Sequence, residues 1–316
     1  MRLYGGGVFS VLKKARQDGL RAGIVLGDGS LALAIVRRPT DGKPELLESL
    51  RQPLGADIHV SLRATLDKLG LKRTRTCAVL DSAEYQVVQV EAPEVLPSEL
   101  RAAIRWRLRD AIGFSVDEAA IDIFEIPEPA RRTPQKMLFA VAARATAVQR
   151  VVSALKPAAR GFDAIDVPEL CLRNVAALLP QDQKGVALLA LNEQFVQLVI
   201  TRQNVLYVTR RIDLRRGLSL DGDSSIDASA LALELQRSLD YYESHFDQTP
   251  IGDLIIAPAH AQAESLATAL HAEVSLRISL LDVREHCVVA RSGEILSDWP
   301  SLMALGAALR QDAAGQ

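Results

Sequence analysis

Two apolar runs near the start of the chain, residues 22–27 and 31–37, are separated by the polar turn Gly27-Asp28-Gly29-Ser30. Such a turn is typical either of a phosphate-binding loop or of a simple hairpin bend. The first interpretation implies a nucleotide-handling enzyme and the second a protein that acts by binding. Alternating and β-branched runs predict further strands at 77–81, 85–91, 119–126, 137–143, 185–191, 195–201 and 204–212.

Apolar residues at helical spacing predict the helices. From Pro97 onward, apolar residues recur every four positions between Leu100 and Ile112, opposite a stripe of arginines at 101, 105 and 109. A second long helix is predicted to begin near Asp227. Other helices are predicted at 57–69, 146–159, 168–178, 260–270 and 299–311. The mixture of strand pairs and helices indicates an α/β architecture.

A weak internal repeat divides the chain. A strand, turn and strand begin at Gly23, and a similar arrangement begins at Gly185, about half the chain later. In each case further strand and then helix follow. This spacing predicts two similar α/β halves that face each other across a cleft.

Composition excludes several classes of protein. The chain has 316 residues, enough for about two domains, and 37 basic and 39 acidic residues give a net charge of −2. No overall positive charge is present to attract nucleic acid. Three widely spaced cysteines favour a reducing compartment and form no zinc-binding pattern. No apolar run approaches the roughly 20 residues of a transmembrane helix.

Residues 1–20 are expected to be a flexible segment, with a small amphipathic membrane contact as the alternative.

Three stretches together carry a family resemblance. They are LPSELRAAIRWRLRDAIGFSVDEAAIDIFEI (96–126), ALELQRSLDYYESHF (232–246) and SLMALGAALR (301–310). In this order and spacing they resemble the PilM family of type IV pilus assembly proteins, and within it the MshI branch of the mannose-sensitive haemagglutinin (MSHA) pilus.

The resemblance implies an actin-like fold similar to that of FtsA. This is a two-domain α/β fold of duplicated RNase H-like halves, with a small subdomain inserted in the first half. The expected boundaries are 21–182 for the first domain, about 85–150 for the inserted subdomain, and 183–316 for the second domain, with a smaller subdomain at about 216–280.

The resemblance also makes the opening turn a degenerate phosphate loop, formed by Gly27, Asp28, Gly29 and Ser30. Actin-like ATPases carry an aspartate in the first strand that holds hydrated magnesium, and Val25 matches that position. In the second half, the family's Asp-Ile-Gly pattern matches Ala190-Leu191-Asn192, give or take one position, so the carboxylate is missing there as well. Pro258 and Ala259 stand where a Gly-Gly turn would approach the adenosine. We therefore expect a pseudo-ATPase without catalytic residues, metal site or cofactor; ATP with magnesium is the less expected alternative.

For function, the resemblance implies a cytoplasmic scaffold, peripheral to the inner membrane through a partner and in contact with other pilus assembly proteins. The partner is a PilN-like membrane protein whose N-terminal tail binds in a groove between the first and the inserted subdomains. Such a tail could pair as an added strand. The candidate contact residues are Tyr85, Val87, Leu100, Ile104 and Trp106. Trp106 is expected either on an exposed interface or beneath a neighbouring loop.

Two alternatives remain. One is a nucleotide-binding actin-like ATPase or switch in pilus or type II secretion assembly. The other is a GspL-like domain of type II secretion, which would normally continue into a membrane helix that this sequence does not show.

Overall fold

The computed structural model describes residues 19–27, 29–96, 98–127, 136–214, 227–290 and 298–311. In chain order its strands are β1 (Leu20–Gly27), β2 (Ser30–Arg37), β3 (Glu45–Pro53), β4 (Arg75–Val79), β5 (Tyr85–Glu91), β6 (Ala119–Glu125), β7 (Met137–Arg144), β8 (Phe162–Asp166), β9 (Val186–Leu191), β10 (Phe195–Arg202), β11 (Val205–Asp213), β12 (Asp253–Ala257), β13 (Arg277–Leu280) and β14 (Val288–Val289). The helices are α1 (Ile58–Lys68), α2 (Leu100–Leu108), α3 (Ala145–Leu155), α4 (Pro168–Ala176), α5 (Ala228–Phe246), α6 (Ala261–Leu270), α7 (Val283–His286) and α8 (Trp299–Ala308).

The same sheet topology occurs twice. Among the described strands, one sheet has the order β14-β3-β2-β1-β4-β8 and another β11-β10-β9-β12-β13. In each sheet, three strands that are consecutive in the chain pair in antiparallel fashion. The first of these three, β1 or β9, also pairs in parallel with a fourth strand, and the fourth pairs in parallel with a fifth. The repeat predicted from the sequence is therefore a repeated strand order, extended in the first sheet by the short β14.

Helices α4 and α8 join the two halves through very close packing. A Cβ atom built on Gly23 of β1 would lie 1.9 Å from the carbonyl oxygen of Ala304 in α8. A Cβ built on Gly306 would lie 2.4 Å from the carbonyl oxygen of Cys171 in α4. The side-chain amide of Asn174 also donates to the Gly306 carbonyl at 2.9 Å. Glycine is required at both positions because backbone takes the place of a side chain.

The inserted part of the first half is a small sheet with the order β5-β7-β6. One face packs on α2 through a core that includes Ile104 and Leu108. The opposite face contributes Phe139 to the large core that also contains α5 and β11. At this contact the side chain of Gln89 lies near the hydroxyl of Tyr241. The inserted sheet thus lies between α2 and the second half, and we call its contact with the second half the seam.

The predicted strands and helices are confirmed, with shifts of a few residues at their ends. The strands and helices predicted from the sequence did not include β3, β8, β12, β13, β14 or the short helix α7. The domain boundaries stay predictions. Residues 1–18 of the expected N-terminal segment and 215–226 of the smaller subdomain fall outside the described residues. Within 227–280, β12 and β13 are members of the second sheet. Over the described ranges, no helix is long and apolar enough to cross a membrane.

Candidate functional site

A cleft of about 520 Å³ opens between the two halves. The first half lines it with the end of β1 and the start of β2, including Gly27 and Ser30. The second half contributes Asn192, after β9, and His260, before α6. Its volume falls within the roughly 300–1,000 Å³ of small-molecule sites. Of the residues matched to nucleotide motifs in the sequence, Val25, Gly27, Ser30 and Asn192 therefore line a common space, whereas Gly29, Pro258 and Ala259 are not part of its lining.

The opening turn closes a regular hairpin. Gly27 and Ser30 are paired across β1 and β2, and the hydroxyl of Ser30 donates to the Gly27 carbonyl at 3.0 Å. Gly29 has a φ of 66°, which favours glycine. A Cβ on Gly27 would meet no heavy atom within 4 Å. Asp28 lies outside the described residues. The turn borders open space, and the hydroxyl of Ser30 makes its hydrogen bond within the hairpin.

Three carboxylates that the sequence analysis missed line the cleft, namely Asp81, Glu193 and Asp298, and the side chains of Asp81 and Asp298 bind other groups of the protein. Asp298 accepts the Ser301 backbone N–H at 2.8 Å, capping α8, and forms an ion pair of 2.9 Å with Arg51. Asp81 accepts the backbone N–H of Ala83 at 2.8 Å. Val25 lines the cleft at the position matched to the magnesium aspartate. In the described part of the chain, no three His, Cys, Asp or Glu side chains are grouped as metal ligands.

A separate groove of about 500 Å³ lies where the inserted sheet, the first half and the second half meet. Four consecutive residues of β5, 85–88, line it, so the edge of this strand faces the groove. The facing wall comes from β10 and β11, including Gln197 and Thr209, and β11 is the last strand of its sheet. We expected the groove to lie between the first and the inserted subdomains, both in the first half. In the structure, the second half forms one of its walls as well.

A buried tyrosine and carboxyl group border this groove. The hydroxyl of Tyr85 donates to the Glu169 carboxylate at 2.7 Å, linking β5 to the first turn of α4. Burial raises the pKa of Glu169, and the hydrogen bond from Tyr85 opposes that rise only in part. Burial and the neighbouring carboxylate raise the pKa of Tyr85 as well. The uncharged carboxyl is therefore favoured more in the folded chain than in water.

Two arginines border the groove, and sequence reasoning missed both. The guanidinium of Arg144 lies 4.6 Å from the ring centroid of Phe114, and that of Arg211 lies 3.9 Å from that of Phe195. Arg211 lines the cleft as well as the groove. No local pattern marks these residues, because they come from separate strands.

Comparison with known proteins gives structural matches alone. No family model matches the chain, and no curated protein matches its sequence. PilM of the PilM–PilN type IV pilus biogenesis complex is similar with a TM-score of 0.64 and 20% identity, over 92% of this chain and 97% of that one. A Bacteroides thetaiotaomicron protein with an actin-like ATPase fold and unknown function has a TM-score of 0.52 and 8% identity, over 96% and 99% of the two chains.

The fold is actin-like.

A third similar structure is the cytoplasmic domain of EpsL, an inner-membrane component of the type II secretion system of Vibrio cholerae. Its TM-score is 0.50 and its identity 13%, over 93% of this chain and 96% of that one. At such identities the likeness establishes the fold, and it does not distinguish an MshI-like branch.

The five predicted partner contacts do not form one surface. Tyr85 and Val87 line the groove, but Leu100, Ile104 and Trp106 do not. Ile104 is 0% exposed in the core beneath α2, so its assignment as a contact residue is corrected, and Leu100 packs against the same core. Trp106 is 67% exposed, 4.1 Å from the Arg109 guanidinium. Of the two expectations for Trp106, the exposed position is confirmed; its binding role stays a prediction.

Proposed function

We propose that the chain is a cytoplasmic actin-like scaffold of a type IV pilus assembly machine, of the MSHA type. In this proposal it is held at the inner membrane by the N-terminal tail of a PilN-like partner. The observation that carries the proposal is the similarity to PilM over 92% of the chain. The partner of PilM in that complex supplies the kind of protein to test.

The groove supports a binding role. Among the described strands β5 is an edge strand that pairs with β7 on one side, and an extended tail could add as a strand to its other side along 85–88, which lines the groove. Tyr85 and Val87 lie on this stretch, so they remain the proposed contacts. The inserted sheet and the second half would both contact the tail, so the tail would bind only a chain in which these two parts are folded and in contact.

The cleft supports the absence of ATP turnover. A hydrolytic site needs a carboxylate or comparable ligand free to orient the metal. Val25 has none, Asp298 already caps a helix and binds Arg51, and Asp81 already accepts a backbone N–H. Glu193 also lines the cleft, but among the described residues no three His, Cys, Asp or Glu side chains form a metal-binding group. A single carboxylate of this kind is a poor magnesium site, so we propose that the molecule acts through association.

A nucleotide-gated switch is the second candidate, and one observation favours it. Gly27 borders the cleft with open space beyond its Cα, so a ligand could approach the backbone there. Such a ligand would find no carboxylate at Val25 and would meet Asp81 and Asp298 already bound within the protein, which leaves Glu193 as the remaining carboxylate of the lining.

Binding of a synthetic peptide of the partner's cytoplasmic tail, labelled and followed by fluorescence anisotropy, tests the scaffold proposal. We expect saturable binding and a higher melting temperature of the chain. Val87→Arg should abolish binding, whereas Val205→Arg, at a position 40% exposed outside the groove, should leave it intact. Thermal melting of both variants checks folding. Failure of the wild-type chain to bind the tail would refute the proposed partner.

A fluorescent ATP analogue with magnesium tests the cleft. We expect no thermal shift at millimolar nucleotide and no phosphate release. Tight binding that is lost in Gly27→Arg would favour the switch, because the arginine side chain would enter the open space beside the turn.

A further inference from the structure

Two arginines face the groove from different parts of the fold. Arg144 ends β7 of the inserted sheet, and Arg211 belongs to β11 of the second half. Each guanidinium is in contact with an aromatic ring, Phe114 for Arg144 and Phe195 for Arg211. Such contacts restrict the arginine side chain while its N–H groups stay available for hydrogen bonds. The groove therefore contains two positioned cations.

Neighbouring carboxylates compensate these cations only in part. Glu84 lies 3.9 Å from Arg144 and is closer to Arg150, at 2.5 Å. Asp213 binds Arg211 through Nε at 3.0 Å, which leaves the outer edge of that guanidinium for another acceptor. The groove's own carboxyl group, Glu169, is buried against Tyr85, and burial raises its pKa and favours the uncharged form, although the charge of Arg211 acts in the opposite direction. The local balance of charge is thus more favourable for an anion than for a cation.

We propose that the groove selects an extended polypeptide segment with an acidic side chain, whose carboxylate binds between Arg144 and Arg211. Strand addition along 85–88 would direct alternate side chains of the segment into the groove. The acid would occupy the one of these positions that lies between the two arginines. Charge-assisted hydrogen bonds from arginine to carboxylate give both affinity and geometry. A lysine or arginine at the same position would face two like charges. This inference rests on the proposed function, since it specifies what the partner's tail must contain.

A positional-scanning library of short peptides, acetylated and amidated at their ends, tests the selection on the full chain without assuming a partner. We expect aspartate and glutamate to be enriched at one position. Changing that residue to its amide in a selected peptide should weaken binding about tenfold, the size of one lost charge-assisted hydrogen bond. Added salt should weaken binding of the acidic peptide and have less effect on the amide version.

Variants of the chain identify the residues responsible. Arg144→Gln and Arg211→Gln should each weaken the acidic peptide about tenfold and leave the amide peptide nearly unchanged. Arg63→Gln is the matched control, because Arg63 is exposed on α1 and does not line the groove. Arg211→Lys should retain part of the preference for acid, since it keeps the charge and loses the planar geometry. Thermal melting of each variant establishes that it is folded.

Neutral or basic residues enriched at every position would overturn the inference, and so would acidic peptides that bind both glutamine variants as tightly as the wild-type chain. The partner's tail is measured separately. If the library selects acids through these arginines and the tail does not bind, the proposed partner is wrong and the inference stands. If the tail binds and its acidic residues can be changed to amides without loss, the inference is wrong and the proposed function stands.

Discussion

The contact between α4 and α8 allows a quantitative prediction for Gly306→Ala. The new Cβ would lie 2.4 Å from the Cys171 carbonyl oxygen, 1.0 Å short of the 3.4 Å at which ordinary contact begins. The nearest atoms are the backbone and Cβ of Cys171, which no side-chain rotation can move away. Overpacking of this kind costs about 1–3 kcal/mol, and this site belongs near the upper end. Alanine in a helix regains about 0.5–1 kcal/mol relative to glycine. We expect a net loss of roughly 2 kcal/mol in the free energy of unfolding.

Urea unfolding, followed by tryptophan fluorescence, measures the loss as a lower midpoint with an unchanged slope. Gly27→Ala is the matched control, because its Cβ would meet no heavy atom within 4 Å. That change should stay within about 0.5 kcal/mol of the wild-type chain. If Gly306→Ala were as stable as Gly27→Ala, the two helices would not cross as closely as described. The account of how the halves are joined would then be refuted.

Three further changes test other parts of the structure. Ile104→Ala should lower the free energy of unfolding by about 2–5 kcal/mol, because it empties a fully buried site, and urea unfolding would show it. Trp106→Ala, at an exposed site, should change stability by less than about 1 kcal/mol by the same measurement, so an equal loss in both variants would contradict the assignment of faces on α2. The raised pKa of Glu169 means that its contribution to stability is fully present below the pKa of an unfolded glutamate and is lost as pH rises through the folded-state value. Glu169→Gln should therefore remove that pH dependence and stabilise the chain at neutral pH relative to the wild type; parallel pH profiles of unfolding free energy would contradict this.

The sequence predicted those elements whose apolar pattern is strong. The long helix predicted to begin near Asp227 is α5, and in the structure Tyr242 on its core side is fully buried while the adjacent Tyr241 is partly buried. Strand β3 was missed because its residues, Glu45–Pro53, are largely polar and only partly buried, although it pairs with β2 along its length. Sheet pairing fixed this strand without an apolar signal of its own.

The groove was harder to predict than the fold. Tyr85, Arg144, Glu169 and Arg211 come from four separate elements, and only tertiary packing brings them to one place. The prediction that Ile104 contacts a partner failed for a related reason. Its spacing revealed an apolar stripe on α2, but spacing alone does not show which surface covers the stripe, and the inserted sheet does so.

The seam between the inserted sheet and α5 restricts how the molecule can move. Phe139 of the inserted sheet packs into the core that contains α5, and Gln89 lies near Tyr241, so the inserted sheet meets the second half in addition to the contact between α4 and α8. An opening rotation of the two halves would have to withdraw Phe139 from this core and expose its ring to water, so burial of the ring opposes that motion.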